Sequence, residues 1–230
     1  MGTRAGRSQV TRVSLLKIYR VLLGTFGPQG WWPAQSPFEV MVGAILVQNT
    51  NWKNAERAID HLKRKRLLTP RNLHALSVRA LAAQIRPAGY FNVKARRLKN
   101  FLAFFVDRYQ GSVKKMRAQK KEDLRAQLLA VKGIGPETAD AILLYALDKP
   151  LFVIDNYTKR VFSRHGIFPQ DVPYPEAQQV FHRYLSCDAK LYNEYHALLV
   201  RLAKEFCRAR PLCGRCPLNI LKSTKPRRFA

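Results

Sequence analysis

Acidic residues are scarce in this chain: 15 Asp and Glu stand against 41 Lys and Arg among 230 residues, a formal net charge of +26. So one-sided a balance points to a polyanionic partner, because each phosphate contact releases counterions and favours Lys and Arg. An idle solvated surface fits poorly, since self-repulsion of this size destabilises the compact state. An anionic membrane surface would call for a basic amphipathic helix with a broad apolar face, whereas the positive charge here is spread along the chain. Long apolar runs are also missing. None approaches the roughly 18 residues of a membrane span, and no membrane partner is expected. The basic start (Arg4, Arg7, Arg12) is not followed by an apolar segment with a small-residue cleavage site, so a cytoplasmic protein is expected. Low-complexity stretches and internal repeats are absent, and a 47% hydrophobic content excludes a disordered basic tail.

Hydrophobic alternation of strand period is lacking too, apart from the short run Leu151–Ile154, too short to make a strand by itself. Apolar residues recur instead at helical spacing in Val10–Leu23, Phe38–Leu46, Ala55–Leu62, Leu73–Ile85 and Lys94–Tyr109. The pattern resumes in Glu122–Val131, Glu137–Leu147, Pro175–Leu185 and Leu191–Phe206, and the tail beyond Phe206 turns to Cys, Pro, Arg and Lys. The predicted class is all-α.

The stretch Val131-Lys-Gly-Ile-Gly-Pro-Glu-Thr-Ala139 joins two of these helices. Gly133 and Gly135 allow positive φ and close backbone approach, and Pro136 suits a first helical turn. Backbone amides at such a helix start favour an anion such as a DNA phosphate. An ordinary tight turn would carry the same glycines, and the basic context tilts the reading towards nucleic acid. Asp155 ends the apolar run Phe152-Val-Ile, where an acid is costly unless paired or functional. It also reads as the N-cap of a helix starting near Asn156, and the two roles are compatible.

Lys132–Ala139 followed by Val153-Ile-Asp155 resembles the helix-hairpin-helix and catalytic aspartate of the endonuclease III superfamily of DNA glycosylases. Gly30-Trp-Trp-Pro33, Leu46-Val-Gln-Asn-Thr50, Arg86–Ala95 and Gly133–Ala141 are most similar to the 3-methyladenine DNA glycosylase III branch. The resemblance implies a six-helix barrel over residues 31–148, with the hairpin at about 122–147. A second helical domain would join residues 1–30 to 149–230, and DNA would lie between the two with Asp155 at the cleft. The implied partner is double-stranded DNA with a damaged base, bound by a monomer that in a bacterium would associate with the nucleoid.

Lyase members of the superfamily carry a Schiff-base lysine where this chain has Glu137, and a carboxylate cannot form an imine. The resemblance therefore implies simple hydrolysis of the N-glycosidic bond of an alkylated purine, with Asp155 stabilising oxocarbenium character. It assigns Trp31, Trp32, Pro33, Trp52 and Lys204 to the base pocket, and Lys132, Gly133, Ile134 and Gly135 to the DNA backbone. Gln48 and Tyr90 stand where the family places residues that fill the hole left by the flipped base. A glycosylase for oxidised pyrimidines or mismatched uracil or thymine, and a non-catalytic hairpin DNA-binding protein, are the rival readings.

Cys207, Cys213 and Cys216 match three of the four cysteines that hold a [4Fe–4S] cluster in related glycosylases. Lys222 stands near the fourth position and Cys187 lies outside the pattern. A weakened cluster, a three-iron form, an outside ligand and no metal are all open.

Overall fold

A computed structural model describes residues 12–221, and every regular element among them is helical. Lys222 lies outside the described residues. By its contacts the chain divides into two compact units. Among the described residues one takes 12–31 together with 152–221, and the other is the continuous segment Trp32–Leu151. No helix of the described residues is long and apolar enough to cross a membrane.

The helices in chain order are α1 (Arg12–Phe26), α2 (Pro37–Leu46), α3 (Trp52–Arg64), α4 (Pro70–Ala75), α5 (Val78–Gln84) and α6 (Phe91–Tyr109). They continue with α7 (Val113–Arg117), α8 (Lys121–Ala130), α9 (Pro136–Ala141), α10 (Asn156–Arg164), α11 (Tyr174–Tyr184) and α12 (Ala189–Glu205). Short polar side chains start many of them by accepting a backbone N–H of the first turn: Ser36 from Glu39, Asn51 from Asn54, Thr69 from Asn72 and Ser112 from Lys115. The stretch Leu73–Ile85, expected as one helix, is two. Ser77 accepts the Ala80 N–H at 3.1 Å and caps α5, while Leu76 is extended. A serine that bonds local backbone competes with helix continuation, and the apolar spacing on either side of it hid the break.

In the Trp32–Leu151 unit, α2 is buried along nearly its whole length, Phe38 through Leu46, as befits a helix apolar on all sides. Phe38 and Phe101 both stack on Phe105 of α6. Helices α8 and α9 form the hairpin, and α9 widens into a π-helical turn over Ile142–Ala146. Arg125 of α8 grips the fully buried Asp140 of α9 with Nε–Oδ1 2.7 Å and Nη2–Oδ2 3.1 Å. This two-pronged pair ties the hairpin's two helices together.

The other unit is built around Phe152. Its ring stacks on Phe181 with centroids 3.7 Å apart and meets Tyr192 and Tyr195 edge-on. Tyr195 donates its hydroxyl to the Leu15 carbonyl at 2.9 Å, joining α12 to α1, and complete burial pushes its pKa well up.

Removing one partner of a buried ion pair strands the other charge. Arg125→Met should therefore lower the unfolding free energy by about 3 kcal/mol, read from urea denaturation. A shift of a few tenths would show the pair to be dispensable to the hairpin.

Candidate functional site

Asp155 sits where an extended segment meets α10. The segment Leu151–Ile154 is buried yet belongs to no sheet, so its backbone groups need side-chain partners. Those of Phe152 and Ile154 find them on α11. Phe152 N–H donates to His182 Nε2 at 3.0 Å, Gln178 Nε2 donates to the Phe152 carbonyl at 2.8 Å, and Ile154 N–H donates to the Tyr174 hydroxyl at 3.3 Å. Tyr174, Gln178 and His182 are four residues apart and so share one face of the helix. Their register fixes where the segment delivers Asp155.

The Asp155 carboxylate caps α10 by accepting Thr158 N–H at 2.7 Å, and its other oxygen lies 3.6 Å from His196 Nε2 on α12. Burial would push its pKa up. The charge of His196, with hydrogen bonds from His196 and Thr158, outweighs that and holds it below the ordinary carboxylate value. Asp155 is thus an ionised carboxylate in a largely dry setting. His196 was not identified by sequence reasoning; only its place on the apolar face of α12 could have drawn attention to it.

In the hairpin, Gly133 has φ +100° and Gly135 opens α9 as its N-cap. Among the described residues the N–H groups of both glycines donate to no partner, which leaves them for an anion. Lys132 and Glu137 are exposed on either side. Ile134 is only 5% exposed, and its N–H donates to the Val131 carbonyl at 3.0 Å. An apolar side chain in a tight turn gains more from burial than from display, so Ile134 anchors the turn from inside.

Gln48 reaches the same turn. Its side-chain amide donates to the Gly133 carbonyl at 3.1 Å and the Thr138 hydroxyl at 2.9 Å, and its carbonyl oxygen accepts from Arg97 Nη1 at 2.6 Å. In this conformation Gln48 is committed to the hairpin. Tyr90, by contrast, is 71% exposed and held in the left-handed region at φ +46° just before α6. Strain of that kind in a non-glycine residue suits a side chain that must be presented.

Trp32 and Trp52 come together, ring centroids 5.0 Å apart and nearly perpendicular, and Trp32 meets Tyr145 of the π-helical turn at 5.2 Å. Gly43 of α2 lets Trp32 approach, since a Cβ there would stand 3.3 Å from its ring. Tyr145 was missed because the hairpin's second helix reads as plain core. Pro33 and Trp52 line a 380 Å³ cavity that also carries Glu39, Glu56 and Asp60. Trp31 is half-buried. Lys204 is exposed on α12 with its ammonium 6.0 Å from the Tyr157 ring, so its described contact is with α10.

Residues 42–187 match the family model described as HhH-GPD superfamily base excision DNA repair protein. The chain belongs to that superfamily. It is a base excision repair DNA glycosylase by family. The glycosylase is 48% identical over 207 residues to the MJ1434 protein of Methanocaldococcus jannaschii, whose name assigns it provisionally to DNA repair glycosylases; the match covers 89% of this chain and 94% of that one. It is 30% identical to endonuclease III of Sulfolobus acidocaldarius, over 79% of each chain. Among solved structures it is similar to the 3-methyladenine DNA glycosylase MagIII of Helicobacter pylori bound to 1,N6-ethenoadenine. The TM-score there is 0.74 at 29% identity, covering 85% of this chain and 98% of that one.

Cys207, Cys213 and Cys216 lie in the loop after α12. Among the described residues no three Cys, His, Asp or Glu side chains are grouped to hold a metal ion. Cys207 is buried, with Arg164 Nη1 3.4 Å from its sulfur, while Cys213 is exposed and Cys216 half-buried. Arginine contacts shape the loop: Arg160 donates to the Cys207 carbonyl and to that of Ala203 on α12, and Arg164 to those of Arg208 and Ala209. Cysteine spacing suggested a cluster; the two arginines on α10 carried no comparable signal.

His182 serves the buried Phe152 N–H only as an acceptor. His182→Leu should lower the unfolding free energy of the glycosylase by about 1–3 kcal/mol, and His182→Gln, which keeps an acceptor, should recover part of it. Equal losses in denaturant titrations would show that ring packing, and not the hydrogen bond, is what matters. Lys94 supplies a pH test. Burial, reinforced by the charge of Arg97, lowers its pKa from 10.5 to about 8. Between those two values the unfolded chain holds a proton on Lys94 that the folded one lacks, so its contribution to stability rises with pH across that window and is least favourable below it. Thermal unfolding should therefore show a smaller gain from pH 8 to pH 10 for Lys94→Met than for the wild type.

Proposed function

We propose that the chain is a monofunctional glycosylase that hydrolyses the N-glycosidic bond of a flipped-out alkylated purine, 3-methyladenine in type, in double-stranded DNA. The reading rests on the aromatic cluster of Trp32, Trp52 and Tyr145. An N3-alkylated adenine is cationic, and electron-rich rings attract a cation by about 0.5–2 kcal/mol. In the cavity beside Trp52, Glu39 is paired with Lys63, and the carboxylates of Glu56 and Asp60 add negative potential in a chain otherwise strongly positive. The likeness to the Helicobacter 3-methyladenine glycosylase with an adenine derivative bound supports the same reading.

The chemistry asks little beyond one carboxylate. A cationic base is already a good leaving group and needs no strong general acid. As the bond breaks, the sugar gains positive charge, and an ionised Asp155 stabilises it and orients or deprotonates the attacking water. Its lowered pKa keeps it charged at neutral pH. Glu137 at the lysine position closes the imine route, so the product is an abasic site and an uncut strand. The hairpin amides of Gly133 and Gly135, Lys132 and the basic surface hold the phosphates, and Tyr90 fills the vacated stack. Trp31, Pro33 and Lys204 complete the pocket in this reading.

A second reading, an endonuclease III-like glycosylase for oxidised pyrimidines or mismatched uracil or thymine, draws on the Sulfolobus relative. Base release from methylated, oxidised and uracil-containing duplexes separates the two. The expected order places 3-methyladenine first, with no borohydride-trapped complex. Asp155→Asn should cut release by about 100-fold or more while binding to damaged duplex is kept. Preference for uracil or thymine glycol would overturn the alkylpurine assignment, and a fully active Asp155→Asn would overturn the mechanism.

A further inference from the structure

Three polar side chains on one face of α6 each reach a different loop assigned above to DNA, though none belonged to the predicted site. Lys94, Arg97 and Asn100 are spaced three apart, which aligns them along the helix. Lys94 is only 1% exposed, and its ammonium donates to the Ala88 carbonyl at 2.7 Å. Ala88 ends the 3₁₀ turn Arg86–Ala88 that leads into Tyr90. Arg97 donates to the Gln48 side chain at 2.6 Å, and its aliphatic stem lies across Gly133, where any Cβ would collide with its Cγ. Asn100 donates to the Lys132 carbonyl at 2.9 Å.

Gln48 closes the circuit. Its amide nitrogen holds Gly133 and Thr138, and its oxygen is held by Arg97. A glutamine side chain has two donors and one acceptor oxygen, so three bonds of this kind occupy it on both sides. The Gly133 carbonyl is thereby pinned through Gln48 while the Gly133 Cα is covered by the Arg97 stem. A hairpin so held presents its glycine amides in a fixed orientation.

We propose that Arg97 is a positioning residue of this glycosylase. It locks Gln48 and the hairpin turn into one rigid unit, and Lys94 and Asn100 tie the Tyr90 turn and Lys132 to the same helix. Arg97 acts through Gln48 and Gly133 and does not serve as a phosphate ligand. The inference deepens the functional reading above and rests on it for the roles of the hairpin and Tyr90.

Two measurements on the full chain test it. Without DNA, Arg97→Met should speed amide hydrogen exchange at Ile134 by about tenfold, the scale of losing one charge-assisted hydrogen bond. Gln48→Leu should do the same, and the double variant no more than either alone. Unchanged exchange at Ile134 in Arg97→Met, or effects that multiply in the double variant, would overturn the proposal whatever the protein's substrate. The second measurement is affinity for an undamaged duplex across a salt series. Arg97→Met should weaken binding while leaving the slope against salt unchanged, and Arg97→Lys should not rescue it, because a point charge lacks the fork that reaches Gln48. A slope reduced by about one would make Arg97 a phosphate ligand and overturn its positioning role. Absence of duplex binding by the wild type would instead remove the functional reading, leaving the exchange result to stand or fall alone.

Discussion

Buried backbone outside a helix or sheet must find partners one by one, and around Asp155 this constraint shapes the surrounding structure. The segment ending at Asp155 takes its partners from three side chains of α11, so that helix is fixed in rotation and in height against it. Phe152, held at both its N–H and its carbonyl, then becomes the ring on which Phe181, Tyr192 and Tyr195 are arranged. Asp155 follows directly after the last anchored amide, that of Ile154, where α10 begins and its first-turn N–H groups are available. The same carboxylate that ends the buried segment also starts the helix. A side chain with both duties has little freedom, which is what a charge intended to face a transition state requires.

The helices were legible because burial imposes a period, and Asp155 was legible as a cap because an acid after an apolar run can take a backbone amide, whereas the cap at Ser77 was hidden by apolar spacing on either side. The hairpin and Asp155 were legible as a motif: two glycines, a proline and an acid after an apolar run have few physical uses together. What stayed hidden were the contacts made at a distance in sequence. Tyr174, Gln178 and His182 are aligned at helical spacing, yet nothing in their local pattern announces the segment that crosses them. Lys94 and Arg97 carried no signal beyond their place in a helical pattern, and the structure buries the first and lays the second over a glycine. Gln48 and Ile134 were singled out by resemblance, which said nothing of whether their polar or apolar atoms were already engaged within the fold.

Contacts that reach a loop from another helix are the hardest to foresee. Cysteine spacing drew attention to the loop after α12, and Arg160 and Arg164 hold three of its carbonyls, with Arg160 also reaching Ala203 of α12. Guanidinium groups suit this task, since each offers several donors in a fixed plane and keeps its charge when half-buried. The loop therefore gains order from the same residue type that supplies the basic surface.

The scarcity of acids gives the last link between composition and site. With 41 basic residues against 15 acidic ones, most positive charges have no carboxylate to neutralise them. Three acids are drawn inward, each against a cationic or ionisable partner: Glu39 with Lys63 at 2.6 Å, Asp140 with Arg125 at 2.7 Å and Asp155 with His196 at 3.6 Å. The first two acids form ion pairs that join helices, Glu39 of α2 to Lys63 of α3 and Asp140 of α9 to Arg125 of α8, and they serve packing. Asp155 differs in what its oxygens meet, because one caps α10 through the Thr158 N–H and the other lies 3.6 Å from an imidazole. A fold that closes two of its scarce acids into short ion pairs and holds the third at a helix start keeps that single carboxylate available for chemistry beneath a surface of the opposite sign.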